Sequence, residues 1–463
     1  MTRTNRYFSL CQYHNGTNHR AIMNRILTRT AGIAATAMML AMPLLAIGAE
    51  EPVKESLTIE KTIRLVRENN PALKAAADEV SAADARITQS RSAYYPRISA
   101  SGGYTYLNPV SEMSFFGSPM LKFAPNDNYE AKVTAKATLY DFGKRGATVD
   151  LAQTGKKTAE HSLEISRRDL SFQAVQLFYS ILFLRENITV EQKEIAALNK
   201  ALDFTSKRYQ TGAATKFDVL STEVRIAAAQ SKMLDLKHEL LRQEINLRRL
   251  TGIADNVPLR IQGSCSVAPP DHENTGKVTH ALDQRLEMKL ADEQEKAARQ
   301  RRSIAMKEGL PVLSGSASYG ITNGLMPDIY EIRENFVGAL HLEVPLFSGF
   351  KTSAERQEAT ALMHAAAQRK FDTQQQVKAD IEETTHALQT ASEKIITTEA
   401  QVQQAKLAAQ HARTRYENGM ATVLDLLNTE ASLSQAELAR LQADYAYVIS
   451  NYTMKRATGE LFW

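Results

Sequence analysis

Residues 208–252 open with RYQTGAATKFDVLSTE (208–223) and close with RRLTG (248–252), and residues 415–459 open with RYENGMATVLDLLNTE (415–430) and close with KRATG (455–459). The two stretches align without a gap at an offset of 207, and the same offset carries TLYDFGK around Leu139 onto VPLFSGFK around Leu346. One supersecondary unit is therefore written twice. Each copy has an aromatic near the end of one helix, a glycine suited to a left-handed cap (Gly212, Gly419), a threonine three residues later (Thr215, Thr422) and an aspartate in the first turn of the next helix (Asp218, Asp425). Each reads as a sharp hairpin between two long antiparallel helices.

The helix entering the first hairpin is long. From Lys144 to Tyr209 there is no proline, and Leu163, Leu170, Leu177 and Leu184 form one seven-residue row. Ala174, Ile181, Ile188, Ile195, Leu202 and Tyr209 form a second, matched by Ile381, Leu388, Ile395, Val402, Ala409 and Tyr416. Strict heptads predict a left-handed seam. The helices leaving the hairpins are shorter, about Phe217 to Leu250 and Val423 to Ala457.

Ahead of each long helix the period changes from 3.6 to 2. In RISASGGYTYL, Ile98, Ala100, Gly102, Tyr104 and Tyr106 share a face. In YEAKVTAKATLYD, Tyr129, Val133 and Leu139 oppose Glu130, Lys132 and Lys136. PVLSGSASYGIT and FVGALHLEVPLF repeat the pair, with His341 on the polar face. Strands of ten to thirteen residues exceed the usual globular length and suit a tilted membrane crossing. Four strands cannot close a barrel, and an open edge in hydrocarbon leaves backbone groups unpaired. Two chains would close around a side-chain-filled interior; three would give twelve strands and a passage.

Helices are also expected over Ser56–Ala93, interrupted near Asn69, Asn70 and Pro71, and over Ala281–Lys307. Residues 50–279 then form a first structural repeat ending in a Gly-, Pro- and Ser-rich belt (252–279), and residues 280–463 form the second. Residues 1–49 read as a leader and secretory signal: arginines precede an apolar run, then Pro43 and small residues, with Met23 the expected initiator. No cysteine stands at the cleavage point, so no lipid anchor is expected. Cys11 falls in the leader and Cys265 is expected as an unpaired surface or loop thiol.

A net charge of +4 with interleaved signs gives no nucleic-acid surface. The sequence carries no phosphate loop, nucleophile elbow or metal-ligand spacing, so neither enzymatic activity nor a cofactor is expected. Met113, Met120 and Met326 are too scattered for a copper or silver site.

The paired RYxxGxAT hairpins, the YDFGKR junction and the proline-started strands, in duplicated order, resemble the TolC-like outer-membrane exit ducts over Leu57 to about Gly459. The resemblance implies an α+β membrane protein. It would be a homotrimer with an outer-membrane β-barrel of four strands per chain, continued by a periplasmic α-helical barrel. It implies outer membrane lipid, a periplasmic adaptor and an inner-membrane pump of the RND or ABC type as partners, in efflux or type I secretion. It further implies a periplasmic aperture at Asp425, with Asn428 where a second acidic ring is usual, and a gating tie between coils through Tyr416 and Asp218. The hairpin tips at Gly212, Thr215, Gly419 and Thr422 would face the adaptor. A second tie would be absent or rebuilt, since Ala421 stands for an arginine and Phe217 for a threonine. The competing expectation is a secreted or periplasmic coiled-coil scaffold without a channel.

Overall fold

The computed structural model describes residues 56–113, 121–265 and 284–462. The expected leader and signal, Met120, and the belt beyond Cys265 up to residue 279 lie outside the described residues. Helix α1 (Ile59–Asn69) is capped by Thr58, and α2 (Pro71–Arg91) starts with proline behind an Asn70 cap. The break expected at Asn69–Pro71 is thus a full helix boundary, because Pro71 has no amide hydrogen to continue the ladder. Strand β1 (Arg97–Tyr106) follows. The loop beyond it holds a small ribbon, β2 (Glu112–Met113) against β3 (Leu121–Lys122), where the alternation predicted only loop.

Strand β4 (Asp127–Tyr140) leads to α3 (Lys144–Gln210) and, past the hairpin, α4 (Lys216–Thr251). The second half supplies α5 (Leu286–Lys307), β5 (Val312–Thr322), β6 (Arg333–Glu343), α6 (Lys351–Glu417) and α7 (Val423–Thr458). Both long helices have 67 residues and both shorter ones 36, so the repeat is exact in length. At about 1.5 Å per residue each long helix is a rod of roughly 100 Å.

The four long strands form one antiparallel sheet in the order β1-β4-β5-β6. Expected from Phe336 to Phe347, β6 instead begins at Arg333, which pairs with Thr322, and ends at Glu343 before Pro345. Proline cannot donate to a ladder, so the strand stops short of it. One face carries Ile98, Tyr104, Tyr129, Val133, Leu139, Tyr319, Phe336, Leu340 and Leu342, all at least half exposed. Among the described residues the strands abut no second layer.

Below the sheet the helices form a single layer rather than a bundle around one axis. Near the sheet α2 packs on α3, α3 on α5 and α5 on α6. Toward the hairpins α4 packs on α3, α3 on α7 and α7 on α6. The long helices α3 and α6 run the full height. Side chains at the middle level lock these rows together. Ile181 and Leu247 are fully buried with Leu57, and Phe178 packs on Leu182, Leu441 and Cys265. Cys265 corrects an expectation: it is unpaired but fully buried, its Sγ 3.6 Å from the Tyr179 carbonyl. Burial among apolar rings pushes its thiol up to about 12.

The helix ends at this level are held by side chains. Asn70 donates to the Leu250 carbonyl at 3.0 Å at the end of α4. Buried Arg285 donates to the Ala457 carbonyl at 2.9 Å near the end of α7, and also bonds Glu287 and Asp380. Glu287 in turn pairs with buried Arg168 of α3 at 2.7 Å. No described helix is long and apolar enough to cross a membrane, which says nothing of the strands. Phe178→Ala should cost about 3–5 kcal/mol by opening a cavity beneath Cys265, read as a lower denaturant midpoint with an unchanged dependence on denaturant.

Candidate gating site at the hairpin tips

Both hairpins are built by the same two motifs. Helix α3 ends with Gly212 at φ +77°, the Gly212 amide donating to Tyr209 O at 3.0 Å and the Ala213 amide to Arg208 O at 2.8 Å. Gly419 at φ +73°, with Met420 donating to Arg415 O at 2.8 Å, repeats it. This double closure requires a left-handed residue, which glycine adopts without a Cβ penalty.

Three residues on, a threonine starts the next helix through a reciprocal capping box. The Thr215 amide and hydroxyl both donate to Asp218 Oδ2, at 2.9 and 2.8 Å, while the Asp218 amide donates to Thr215 Oγ1 at 3.2 Å. Thr422 and Asp425 form the same box at 3.0, 2.7 and 3.1 Å. The Thr422 hydroxyl and amide hold the Asp425 carboxyl below the usual carboxylate range. A depressed folded value means that the box contributes stability above the unfolded Asp range and loses it as pH falls through the depressed value.

Tyr416 and Asp218 are not joined in this structure, because the Asp218 carboxylate is turned onto its own helix cap. Tyr416 is buried instead against Leu198, Ala201, Ile226 and Leu427, with Phe204 edge-on at 5.2 Å. Its hydroxyl lies 2.8 Å from buried Thr205, and Thr205 donates its own hydrogen to Ala201 O at 2.7 Å. Tyr416 must therefore be the donor between them. Arg208 covers the ring with its guanidinium carbon 5.4 Å from the centroid and donates to the Tyr416 carbonyl.

The repeat-mate Tyr209 is 47% exposed while Tyr416 is 4% exposed. The difference follows from position: beyond α7 the second hairpin meets α3, which covers Tyr416, whereas beyond α4 the first hairpin meets no further described helix.

Asp425 and Asn428 lie three residues apart on one exposed face of α7. Asn428 accepts a hydrogen bond from Arg225 Nη2 of α4 at 2.9 Å, a link that sequence pattern did not reveal. Only the repeat's Ser221, which stands where the second copy has Asn428, hinted that this position differs between hairpins. Further ties join α6 to α7 through Arg413 and buried Glu430 (2.6 Å), and α7 to α3 through Ser434 and Glu194. The leucine row of α3 continues as Glu191, Leu198 and Thr205, all buried, with Glu191 paired to Lys232 of α4 at 2.6 Å. Polar residues at two of those three positions hid the continuation.

The family model described as "Outer membrane efflux protein" matches residues 62–253 and 278–460. Outer membrane protein TolC of Vibrio cholerae is 22% identical over 402 residues, spanning 85% of this chain and 89% of that protein. Alkaline protease secretion protein AprF of Pseudomonas aeruginosa is 23% identical over 395 residues, spanning 82% and 80%. The solved structure of the outer membrane protein VceC from Vibrio cholerae has the same fold, with a TM-score of 0.74 at 21% identity over 87% of this chain and 96% of that one.

Thr205→Val should strand the buried Tyr416 hydroxyl and destabilise the hairpin by about 1–3 kcal/mol. Tyr416→Phe should cost less, since Thr205 keeps its bond to Ala201. Hydrogen exchange of the amides at 201–208 checks the order.

Proposed function

We propose that this chain, which belongs to the outer membrane efflux protein family, works as one of three copies forming a passive exit duct. The chain lies in the outer membrane, extends into the periplasm and is not an enzyme. The observation that carries the trimer is the open sheet. Strands β1 and β6 each have one unpaired edge, and the apolar face is exposed along its whole length. In hydrocarbon each unpaired backbone group costs roughly several kcal/mol, so the edges must meet another copy. A meander of four antiparallel strands leaves β1 and β6 running in opposite directions. The β6 edge of one copy can then extend the ladder of the next with no change of sense. Three copies supply twelve strands and leave a passage.

The helices support the same assembly. On edge helix α4, Phe217, Leu220, Val224, Leu234, Leu241 and Ile245 are exposed at heptad spacing, an unpartnered seam. The opposite edge, α6, exposes Leu362, Phe371, Ile396 and Leu407. A water-soluble scaffold would leave this seam and the sheet's apolar face in water, which favours the duct over that alternative.

In this reading residues 50–279 and 280–463 are the two structural repeats, and 1–49 are removed on export. The hairpin tips form the periplasmic mouth, where Asp425 from three copies narrows the opening. One carboxylate oxygen is committed to Thr422, and the other accepts no hydrogen bond among the described residues. Like charges at close range in a confined mouth attract cations. The tips at Gly212, Thr215, Gly419 and Thr422 would meet a periplasmic adaptor serving an RND or ABC pump that supplies the energy. Thr205 and Arg208 of the first hairpin hold Tyr416 of the second, and Arg225 with Asn428 joins the same two hairpins.

Membrane extracts run unheated in detergent should give a band of three chains that collapses on boiling; a wholly soluble single chain would overturn the duct. In planar bilayers, Asp425→Ala should weaken block by trivalent cations added on the periplasmic side by about tenfold or more. Unchanged block would remove Asp425 from the aperture.

A further inference from the structure

On the polar face of the sheet, Arg97 of β1 stands directly opposite Lys136 of β4. Like charges set opposite each other destabilise a strand pair. Their neighbours on that face give no relief: Ser99, Thr134 and Thr138 flank them, and Ser314, Ser316 and Ser318 follow on β5. Neither side chain forms an ion pair among the described residues. The other lysine and arginine on this face are already matched, Lys132 by Glu130 and Arg333 by Glu331, and His341, level with Ser314 and Thr138, brings no negative charge. Glu343 lies opposite Val312, while Lys136 is level with Ser316 and Ala339. That is four residues along the strand and two strands across, roughly 13 Å by 10 Å. At a screening length of about 8 Å such a charge is largely screened. Across a closed seam, Glu343 on the β6 edge could meet Arg97 of the next copy, but it would neutralise that one group and leave Lys136.

We propose that Arg97 and Lys136 form a cationic collar at the helix-side end of the barrel that holds carboxylate- or phosphate-bearing groups, so that the duct favours anionic cargo where the passage enters the barrel. The proposal rests on the duct reading above, in which the apolar face meets lipid and the polar face therefore lines the passage. Arginine offers a planar fork that matches a carboxylate or phosphate, and lysine adds a point charge beside it. Threefold repetition places at least three unmatched cations around one passage whose low-dielectric wall concentrates their field. An arriving anion offsets the Arg97–Lys136 repulsion, a stabilisation that a neutral or cationic solute does not supply. The collar is separated from the Asp425 tips by the length of α3, so the two ends carry opposite charge preferences.

The test uses the full chain in planar bilayers, with inositol hexaphosphate added on the extracellular side as the probe. The wild-type current should be blocked, and the concentration for half-block should rise by about tenfold or more in R97Q/K136Q. The single variant K136E, which reverses the charge without touching the strand's end, should abolish the block. Lys132→Gln, already matched by Glu130, should change it far less. Half-block unchanged in R97Q/K136Q and K136E, in channels that still conduct and are still blocked by trivalent cations from the periplasmic side, would overturn the collar alone. Protein that forms no conducting channel in any version would overturn the duct, and the collar with it.

Discussion

Backbone hydrogen bonds at a sheet edge govern everything else in this molecule. Within one chain, β1 and β6 end the ladder with donors and acceptors that water can satisfy and hydrocarbon cannot. The apolar face exposed from Ile98 to Leu342 suits hydrocarbon, where such an edge needs a protein partner to satisfy it. The fold answers by making the sheet a fragment whose two edges run in opposite directions. The helical layer below has the same incompleteness, with α4 and α6 carrying apolar residues on edges that no described element covers.

Duplication supplies the pieces, but the two repeats do not end in equivalent places. Both hairpins share a glycine closure and a Thr–Asp capping box, since those depend on residues within one turn of each other. Their tyrosines differ because α7 lies between α3 and α6, whereas α4 has α3 on one side only. The strand-to-helix junctions differ in another way. Both place two successive residues in the left-handed region, as Phe142–Gly143 in one copy and Gly349–Phe350 in the other. Glycine relieves one of the two positions in each, leaving an aromatic in a conformation that bulky side chains rarely adopt. Asp141 secures the first junction through the Arg145 amide at 2.9 Å, and Arg145 returns a bond to the Thr138 carbonyl at 2.7 Å. Exposed rings thereby stand where the sheet meets the helices, the level suited to an interface between lipid and water.

Polar groups are used where packing alone would leave register loose. Glu191 with Lys232, Glu430 with Arg413 and Glu194 with Ser434 each join neighbouring helices through a carboxylate placed in or beside a seam. Along helices whose alanine-rich faces could slide by a heptad, such a pair fixes one alignment among several.

The sequence by itself determined the helix lengths, the strand faces, the caps and the duplication, because periods of 3.6 and 2 and the chemistry of glycine, proline and capping residues act over a few residues. It also led to the expectation of more than one copy, since four strands are too few to close a barrel. Only the tertiary structure decided which partner each side chain meets. Asp218 turns back to Thr215 instead of reaching Tyr416, Tyr416 finds Thr205, Asn428 is bound by Arg225, and Cys265 sinks beneath Phe178. Those contacts, with the Cys265 thiol's bond to the Tyr179 carbonyl, join residues from 86 to 211 positions apart, Asp218 with its cap excepted. A spacing pattern along the chain carries no record of which helix will lie across the seam, whereas the packed row of helices fixes it.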